Sequence, residues 1–498
     1  MNKPFAFALF AMAASLLSAE DLLLNGDHTV TVASGSTQTI SDKVIGSGRI
    51  ILLGGGTLVL SNSANSFTGG VIVSNGVLRA DASGAFGTGP ISLEGTAEAR
   101  TVQFNALKGA FPNDITLKDK SSSEAYPVVH AMQPTTLNGN VVMDPALSES
   151  GSGILYFAID KYTANDYTAM LDFKGECNAH AGKITLGGGS DYALYQARYH
   201  FNGKITTSRL TAGTSVNRKS DIYLYNSANA IDMVYLVSFN IHCGAENVLY
   251  RTKLWFYYNW QWGKKRSQGN LYCDGYDQEF GYFSSKYATA AAEGIPVTDN
   301  SANVSSDSNS ANRPARVTFA GVENSTSYTV TYARLVGNLS LTVDKLPEAG
   351  STYQRFSYFE NSMTGDFTVK SGTLELREGV TFPKVRNVNV SGGSLYMQGV
   401  TNAMPSLAKM TVSGGTFQCD ANCVNPISYG LADMHLSGEG KLKFGNGITN
   451  TVRKLYVNGE YMPAGTYTKA NLPAMEPSGD TGALVVLRGR AGAFMIVR

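Results

Sequence analysis

Short stretches of alternating apolar and polar residues, separated by glycine, asparagine and serine, recur along this chain. Between Gly54 and Gly95 the segments TLVL, VIVSNGVL and ISLEG follow one another with glycines between them. Such alternation is typical of strands with one buried face, and glycine suits the sharp corners between strands. Two-residue hairpin turns do not recur at regular spacing, so the pattern predicts a chain that coils instead of folding back in hairpins.

The same pattern returns in the C-terminal half at a spacing of roughly 22 residues. It occupies 363–380, 388–400, 410–422 and 434–447. One coil of this length cannot bury its apolar face alone, so successive coils must stack around a shared core. We therefore predict an all-β solenoid, a parallel β-helix with coils of roughly 20 residues.

The clearest copy of the pattern allows specific predictions. Asn62, Asn65 and Asn75 are expected either to close turns or to stack in ladders between coils. Asp81 is expected at an outward corner, where its replacement by alanine changes stability by less than about 0.5 kcal/mol. The corner glycines are Gly69, Gly70 and Gly76, and the predicted interior consists of Leu58, Leu60, Val71, Val73, Ile91 and either Val77 or Leu78.

The first twenty residues differ from the rest. An apolar run from Phe5 to Leu17 follows a single lysine and precedes small residues. This is typical of a secretory signal peptide over 1–19, and an N-terminal membrane anchor is the alternative. No membrane span is expected after cleavage. Beyond it we predict a solenoid over 20–292, a polar linker or loop over 293–315, and a second solenoid stretch with a C-terminal capping coil over 316–498.

Charge and cysteine content narrow the function classes. The chain has 40 Lys and Arg against 39 Asp and Glu, so no nucleic-acid-binding surface is predicted. No Cys and His spacing matches a zinc site, and we predict neither a cofactor nor a catalytic motif. Cys419 and Cys423 are close enough for a disulfide across a turn, whereas the other cysteines, Cys177, Cys243 and Cys273, are expected to be small buried residues.

The segment 254–266 contains all three tryptophans. Aromatic side chains on the flank of a solenoid can stack on sugar rings or against a protein partner, and packing in the core or at a corner is the alternative. The candidate ligand-stacking residues are Trp255, Tyr257, Tyr258, Trp260 and Trp262.

Acidic residues can support hydrolase or lyase chemistry, which needs two carboxylates at a defined separation. The spacing of Asp160, Asp166 and Asp172 does not repeat on one strand face, so we expect them to be solvated surface residues. The segment 187–195 contains only half of a calcium-binding nonapeptide and is not tandem, so no metal site is predicted.

The clearest copy of the pattern resembles the autotransporter-associated β-strand repeat, or passenger-associated transport repeat. The segment 274–283 resembles a linking phrase found beside such repeats, and 455–468 resembles the C-terminal coil of long surface proteins of this type. The repeat-defining residues are Gly54, Gly55, Gly56, Leu58, Leu60, Asn65, Phe67, Gly69, Gly70, Gly76 and Leu78.

This resemblance implies a right-handed parallel β-helix of passenger type, secreted by a Gram-negative-type bacterium or held at its cell surface or outer membrane. The last residues lack the repeated amphipathic strands of a translocator barrel, so a free surface or secreted module is expected. We predict an exported, non-catalytic structural or adhesive protein whose partner is a surface polysaccharide or another surface protein. The alternative is a carbohydrate-active β-helix that binds or cleaves a polysaccharide.

Overall fold

The polypeptide winds as a β-solenoid in which most strands pair in parallel with the strands one coil before and one coil after. The predicted all-β solenoid is therefore confirmed. The computed structural model describes residues 21–95, 100–119, 127–148, 153–159, 169–188, 197–212, 220–236, 239–256, 269–285, 303–309, 311–321, 329–331, 333–345, 353–356, 360–420, 422–477 and 481–487.

One sheet, here called the long sheet, runs along the whole described chain. Its strands are short because the backbone must turn a corner after each one, and they alternate because one face is buried. The parallel strands of the long sheet, in order, are Thr37–Ile40, Thr57–Leu60, Gly76–Ala80, Arg100–Phe104, Val129–Ala131, Ile154–Ile159, Lys183–Gly188, Arg209–Ala212, Met233–Leu236, Thr252–Phe256, Gln278–Ser285, Ala315–Phe319, Leu339–Val343, Phe367–Val369, Asn387–Val390, Lys409–Val412, Asp433–Leu436 and Lys454–Val457.

Two nine-stranded sheets form the other walls of the N-terminal and middle coils. The strands of the second sheet are Asp27–Thr31, Arg49–Leu53, Val71–Val73, Ile91–Leu93, Ile115–Leu117, Val141–Met143, Cys177–Asn178, Ile205–Thr207 and Ala230–Ile231. The strands of the third sheet are Gly109–Phe111, Thr135–Leu137, Ala169–Phe173, Ala197–Phe201, Ser220–Leu224, Phe239–Cys243, Leu271–Tyr272, Asn303–Ser305 and Arg334–Val336.

A seven-stranded fourth sheet faces the long sheet in the C-terminal coils. Its strands are Thr329–Thr331, Tyr353–Phe356, Thr373–Arg377, Ser394–Gln398, Thr416–Cys419, Lys441–Phe444 and Met475–Pro477. The remaining described elements are Leu22–Leu24 paired with Val44–Gly46, Thr449–Val452 paired with Ala483–Val486, Gly465–Tyr467, Glu460–Tyr461 and the short helix Pro145–Ser148. Among the described residues, no helix is long and apolar enough to cross a membrane.

The predicted interior is confirmed at the clearest copy of the pattern. Leu58 pairs with Leu78 and Leu60 with Ala80, and all four side chains are fully buried. Leu78 faces the core, while Val77 is only half-buried, which resolves the alternative left by the sequence. Val71, Val73 and Ile91 are likewise buried in the second sheet.

The corner glycines occupy positions that no other residue fits. Gly70 and Gly76 have φ angles of 80° and 90°, in the left-handed region. A side chain at Gly69 would meet the backbone of Gly48 on the preceding coil. Close backbone approach between coils therefore explains this part of the repeat.

Coil length varies more than the sequence pattern predicted. Leu58 pairs with a residue 20 positions later, whereas Leu155 pairs with Ile184, 29 positions later. Between Gln278 and its partner Val317 the chain uses 39 residues for one coil. The paired strands on either side of these long coils are nevertheless in register, as Leu155 with Ile184 and Gln278 with Val317.

The polar segment 293–315, which we expected to be a linker or loop, continues the solenoid where it is described. Asn303–Ser305 is a strand of the third sheet, paired on both sides. The next residues, Ser306 and Asp307, are buried. The serine and asparagine content of this segment suggested a mobile loop. In the structure its polar groups are instead held by hydrogen bonds at a corner, as between the Ser305 hydroxyl and the backbone of Asp307.

Two further expectations differ from the structure. Cys419 and Cys423 are buried free thiols, so the disulfide considered from their spacing is not formed. Asp81 is not an unpartnered corner residue, because it is ion-paired with Arg79 at 2.9 Å and accepts a hydrogen bond from Asn105 on the next coil at 3.0 Å. Losing these contacts in Asp81→Ala should cost about 1 kcal/mol.

Candidate functional site

The outer face of the third sheet carries a ladder of stacked aromatic rings. His200, Tyr223, His242 and Tyr272 occupy the same register position on four successive strands. Their neighbouring ring centroids are 4.4, 4.4 and 4.9 Å apart, with interplanar angles of 9°, 15° and 26°. We call these four residues the aromatic ladder.

Strand alternation explains why these side chains point outward together. In each strand the residues on either side of the ladder position are buried, as Ile222 and Leu224 are around Tyr223. In-register parallel pairing then places equivalent outward side chains one strand spacing apart, about 4.8 Å. Flat rings stack at that distance, so the ladder follows from the pairing itself.

His242 lies between two carboxylates. Its Nδ1 is 3.0 Å from Oδ2 of Asp274, and its Nε2 is 3.4 Å from Oδ1 of Asp221. The Nδ2 group of Asn240 donates a second hydrogen bond, of 2.9 Å, to the same Asp221 oxygen. The side chains of His242 and of both aspartates are only 10–13% exposed.

These contacts shift the three pKa values in a consistent way. Burial opposes the charged imidazole, but hydrogen bonds and charge from Asp221 and Asp274 outweigh it and raise the pKa of His242. Burial also opposes each charged carboxylate, yet the hydrogen bonds they accept lower the pKa of Asp221 and of Asp274. At neutral pH both aspartates are therefore ionised and held by their partners.

A left-handed turn aims Asp274 at this cluster. Asp274 and Gly275 have φ angles of 51° and 87°, a conformation that is unusual for a residue with a side chain. The turn lets Oδ1 of Asp274 accept a hydrogen bond from the backbone N–H of Ser308 at 2.8 Å. Arg313 approaches the same oxygen at 3.4 Å and is ion-paired with the buried Asp307 at 2.9 Å.

A groove of about 410 Å³ lies over the ladder, and Gly244 forms part of its floor. Leu224 pairs with Cys243, and the residues that follow them are Tyr225 and Gly244, so the coil after Tyr225 offers no side chain beside that ring. A Cβ atom at position 244 would lie 2.6 Å from Cε1 of Tyr225, whose ring therefore covers the glycine backbone. The groove thus exists because Gly244 has no side chain to fill the space beside Tyr225. We call it the ladder groove.

The walls of the ladder groove present tyrosine side chains. Tyr225 and Tyr276 are each 38% exposed, and Tyr225 binds His200 Nδ1 through its hydroxyl at 3.1 Å. Within the described part of the chain, the hydroxyls of Tyr223 and Tyr276 make no hydrogen bond, although both residues line the groove. They are available to a ligand.

Asp221 and Asp274 have the same protonation state at neutral pH, because both pKa values are lowered. A glycosidase needs one carboxylic acid with a raised pKa beside an ionised carboxylate, and here both carboxyl groups have lowered pKa values. In the described ranges no group of three or more His, Cys, Asp or Glu side chains is placed to hold a metal ion.

The structure describes only some of the candidate residues from the sequence. Trp255 is half-buried on the long sheet, where its ring stacks on Tyr235 with centroids 6.2 Å apart. Asp172 heads the ladder column, in register with His200, and is bound by Asn202 at 2.7 Å. The other candidates, Tyr257, Tyr258, Trp260, Trp262, Asp160 and Asp166, lie outside the described residues.

Sequence reasoning missed the aromatic ladder and the ladder groove. The ladder residues are separated by 23, 19 and 30 positions, so no fixed period links them. A weak signal exists in the strands themselves, since YHF, IYLY, IHC and LYC each place a tyrosine or histidine between apolar residues.

One family of repeats matches the N-terminal coils. A family model described as the passenger-associated-transport-repeat matches residues 50–80. The chain carries this repeat. It spans parts of two successive coils, from the buried Ile50 of the second sheet to Ala80 of the long sheet. The repeat-defining glycines from Gly54 to Gly76 are thus corner positions at which neighbouring coils touch.

One curated relative is similar over a short segment. The adhesin BmaC autotransporter of Brucella suis biovar 1 (strain 1330) is 50% identical over 74 residues. That segment is 15% of this chain and 2% of the adhesin, so the chain spans a small part of the relative that it matches. No solved structure matches the chain significantly.

Proposed function

We propose that the protein is an exported adhesive solenoid, displayed at or released from the surface of a Gram-negative-type bacterium, and that it is not an enzyme. The observation that carries the proposal is the passenger-associated transport repeat at 50–80, built into a solenoid that continues in register far beyond it. The name of the relative, an autotransporter adhesin, supports the same role.

The solenoid suits adhesion because it is long and narrow and presents side chains along its outer surface. Its core consists mainly of stacked apolar side chains, and the outward positions of its strands are available to carry binding residues. The aromatic ladder and ladder groove are the most developed features of that outer surface. Their paired carboxylates support binding without turnover, because the lowered pKa values of Asp221 and Asp274 leave neither group as a protonated acid at neutral pH.

Surface labelling tests the location. Intact cells of the source organism are treated with a membrane-impermeant biotin reagent, and the protein is recovered and probed with an antibody. We expect biotin on this protein and none on a periplasmic control protein. If neither this protein nor the periplasmic control carries biotin, the proposal is contradicted.

An activity screen tests the absence of catalysis. Purified protein is incubated with a panel of polysaccharides, and new reducing ends and unsaturated products are measured. We expect neither. Release of either product that disappears in Asp221→Asn or Asp274→Asn would establish the carbohydrate-active alternative instead.

A further inference from the structure

We propose that the ladder groove binds a neutral oligosaccharide. This inference rests on the proposed adhesive function and names the ligand class of its most developed surface site. The groove volume of about 410 Å³ lies in the range of small-ligand sites, about 300–1,000 Å³. Its lining comes from four successive coils, from Tyr223 to Arg313, which span roughly 14 Å at the usual strand spacing.

Charge pairing within the groove selects against charged ligands. Asp221 and Asp274 are both bound to His242, and Arg313 is bound to Asp307 and Asp274. An anion would meet two carboxylates and an Arg313 guanidinium already shared between Asp307 and Asp274, and a cation would compete with the groups that already pair with those carboxylates. The ionic groups therefore form the rigid floor and rim, and they leave neutral groups to meet the ligand.

The groups that remain match a ligand rich in hydroxyls. The hydroxyls of Tyr223 and Tyr276 have no partner within the described residues, and each can both donate and accept a hydrogen bond. The exposed parts of the Tyr225 and Tyr276 rings offer apolar surface next to these polar edges. Sugar rings carry the same combination of C–H faces and hydroxyl edges.

An extended peptide fits less well. Peptides often bind by adding a strand to an open sheet edge. The strands beneath the groove, Ser220–Leu224 and Phe239–Cys243, are paired on both sides, so no edge is open there. No aliphatic side chain lines the groove to hold an apolar peptide side chain.

Binding to an oligosaccharide panel tests the ligand class. The full-length protein is applied to immobilised neutral oligosaccharides, sulfated oligosaccharides and uronic-acid oligosaccharides of equal length, together with a peptide library. Affinities for hits are measured by calorimetry. We expect binding to one or more neutral oligosaccharides. A preference for the charged oligosaccharides, for peptides alone, or binding to nothing would overturn the proposal.

Variants place the binding in the ladder groove. Tyr276→Ala and Tyr225→Ala should weaken the affinity for the neutral oligosaccharide about tenfold, whereas Tyr429→Ala, which removes an even more exposed tyrosine (54%) elsewhere, should leave it unchanged. Tyr223→Phe and Tyr276→Phe keep the rings and remove only hydroxyls, so they fold normally and should each lose about fivefold.

Equal affinity of all groove variants and wild type would refute the site. This outcome is distinct from failure of the proposed function. A protein that is labelled on intact cells but binds no neutral oligosaccharide keeps its proposed location and loses only this ligand. A protein that binds the oligosaccharide through Tyr276 but is protected in intact cells keeps the ligand and loses the surface role.

Discussion

The imidazole of His242 lies almost parallel to the ring of Tyr223, with centroids 4.4 Å apart and planes 15° apart. Both ring nitrogens of His242 meanwhile contact carboxylates, at 3.0 and 3.4 Å. A charged imidazole is favoured by the carboxylates and also by an aromatic face. The ladder thus contains one rung whose charge depends on pH.

His242 should therefore stabilise the fold in a pH-dependent way. Its pKa is raised in the folded state, so its contribution is fully present below the ordinary pKa of about 6.5 and is lost as the pH rises through the raised value. The lowered pKa values of Asp221 and Asp274 add stability that is lost only as acid protonates them. The denaturation midpoints of wild type and His242→Gln should differ most at pH values above the lowered pKa values of the two aspartates and below the raised pKa of His242. They should converge at alkaline pH, where His242 is neutral.

His435 provides a control of opposite sign. Burial, together with the charge of Lys409, lowers the pKa of His435, which stacks on Tyr456. Its contribution is therefore greatest above pH 6.5 and falls as the pH drops. If His435→Gln and His242→Gln show the same pH trend, the electrostatic account of the ladder is wrong.

Stacking in the core predicts a sharp contrast between two leucines of one coil. Leu60 is fully buried, whereas Leu53 is 37% exposed. Leu60→Asp places an unpaired charge in the interior and should cost several kcal/mol, about 3–5, while Leu53→Asp should cost about 0.5 kcal/mol. Chemical denaturation followed by circular dichroism measures both. Similar losses in the two variants would argue against a continuous core at Leu60.

Asn65 should act as a clamp between three coils. Its Oδ1 accepts a hydrogen bond from the backbone N–H of Val44 at 2.8 Å, and its Nδ2 donates to the carbonyl of Ala85 at 2.6 Å. Asn65→Ala leaves both buried groups unpaired and should cost about 2–4 kcal/mol. Asn75→Ala, at a half-buried turn, is the matched control and should cost far less in the same unfolding measurement.

The five cysteines should be unreactive free thiols in the folded protein. All five are buried, and burial raises the pKa of each thiol beyond the range in which a thiolate forms readily. Alkylation without reductant, followed by mass spectrometry, should label none before denaturation and all five afterwards. A mass corresponding to three labelled sites after denaturation would reveal a disulfide, with Cys419–Cys423 as the first candidate.

The fold could be predicted where the coil is short. Leu58 and Leu78 are 20 positions apart and pair directly, so the period in the sequence equals the period in space. In the middle coils the sequence shows no fixed period, because corner segments of different length separate the paired strands. His242 and Tyr272 touch across 30 residues, and nothing in a single sequence fixes that distance.

The ladder groove was harder still to predict, because it depends on a missing side chain. Gly244 could be recognised as a corner residue, but its role arises from its register with Tyr225 and from the turn at Asp274. Register between coils of unequal length is a property of the packed core. Sequence patterns therefore located the scaffold, whereas the site required the three-dimensional alignment of its coils.

The long sheet ends in a reversal of direction. Glu460–Tyr461 turns back and pairs antiparallel with Lys454–Val457. An open sheet edge is a template on which a second copy of the chain could continue the stack, and fibres grow in that way. Because the chain supplies its own reversed strand there, part of that template is already occupied. Coils of one molecule stack on each other, but this reversed strand hinders a second molecule from stacking onto the same edge.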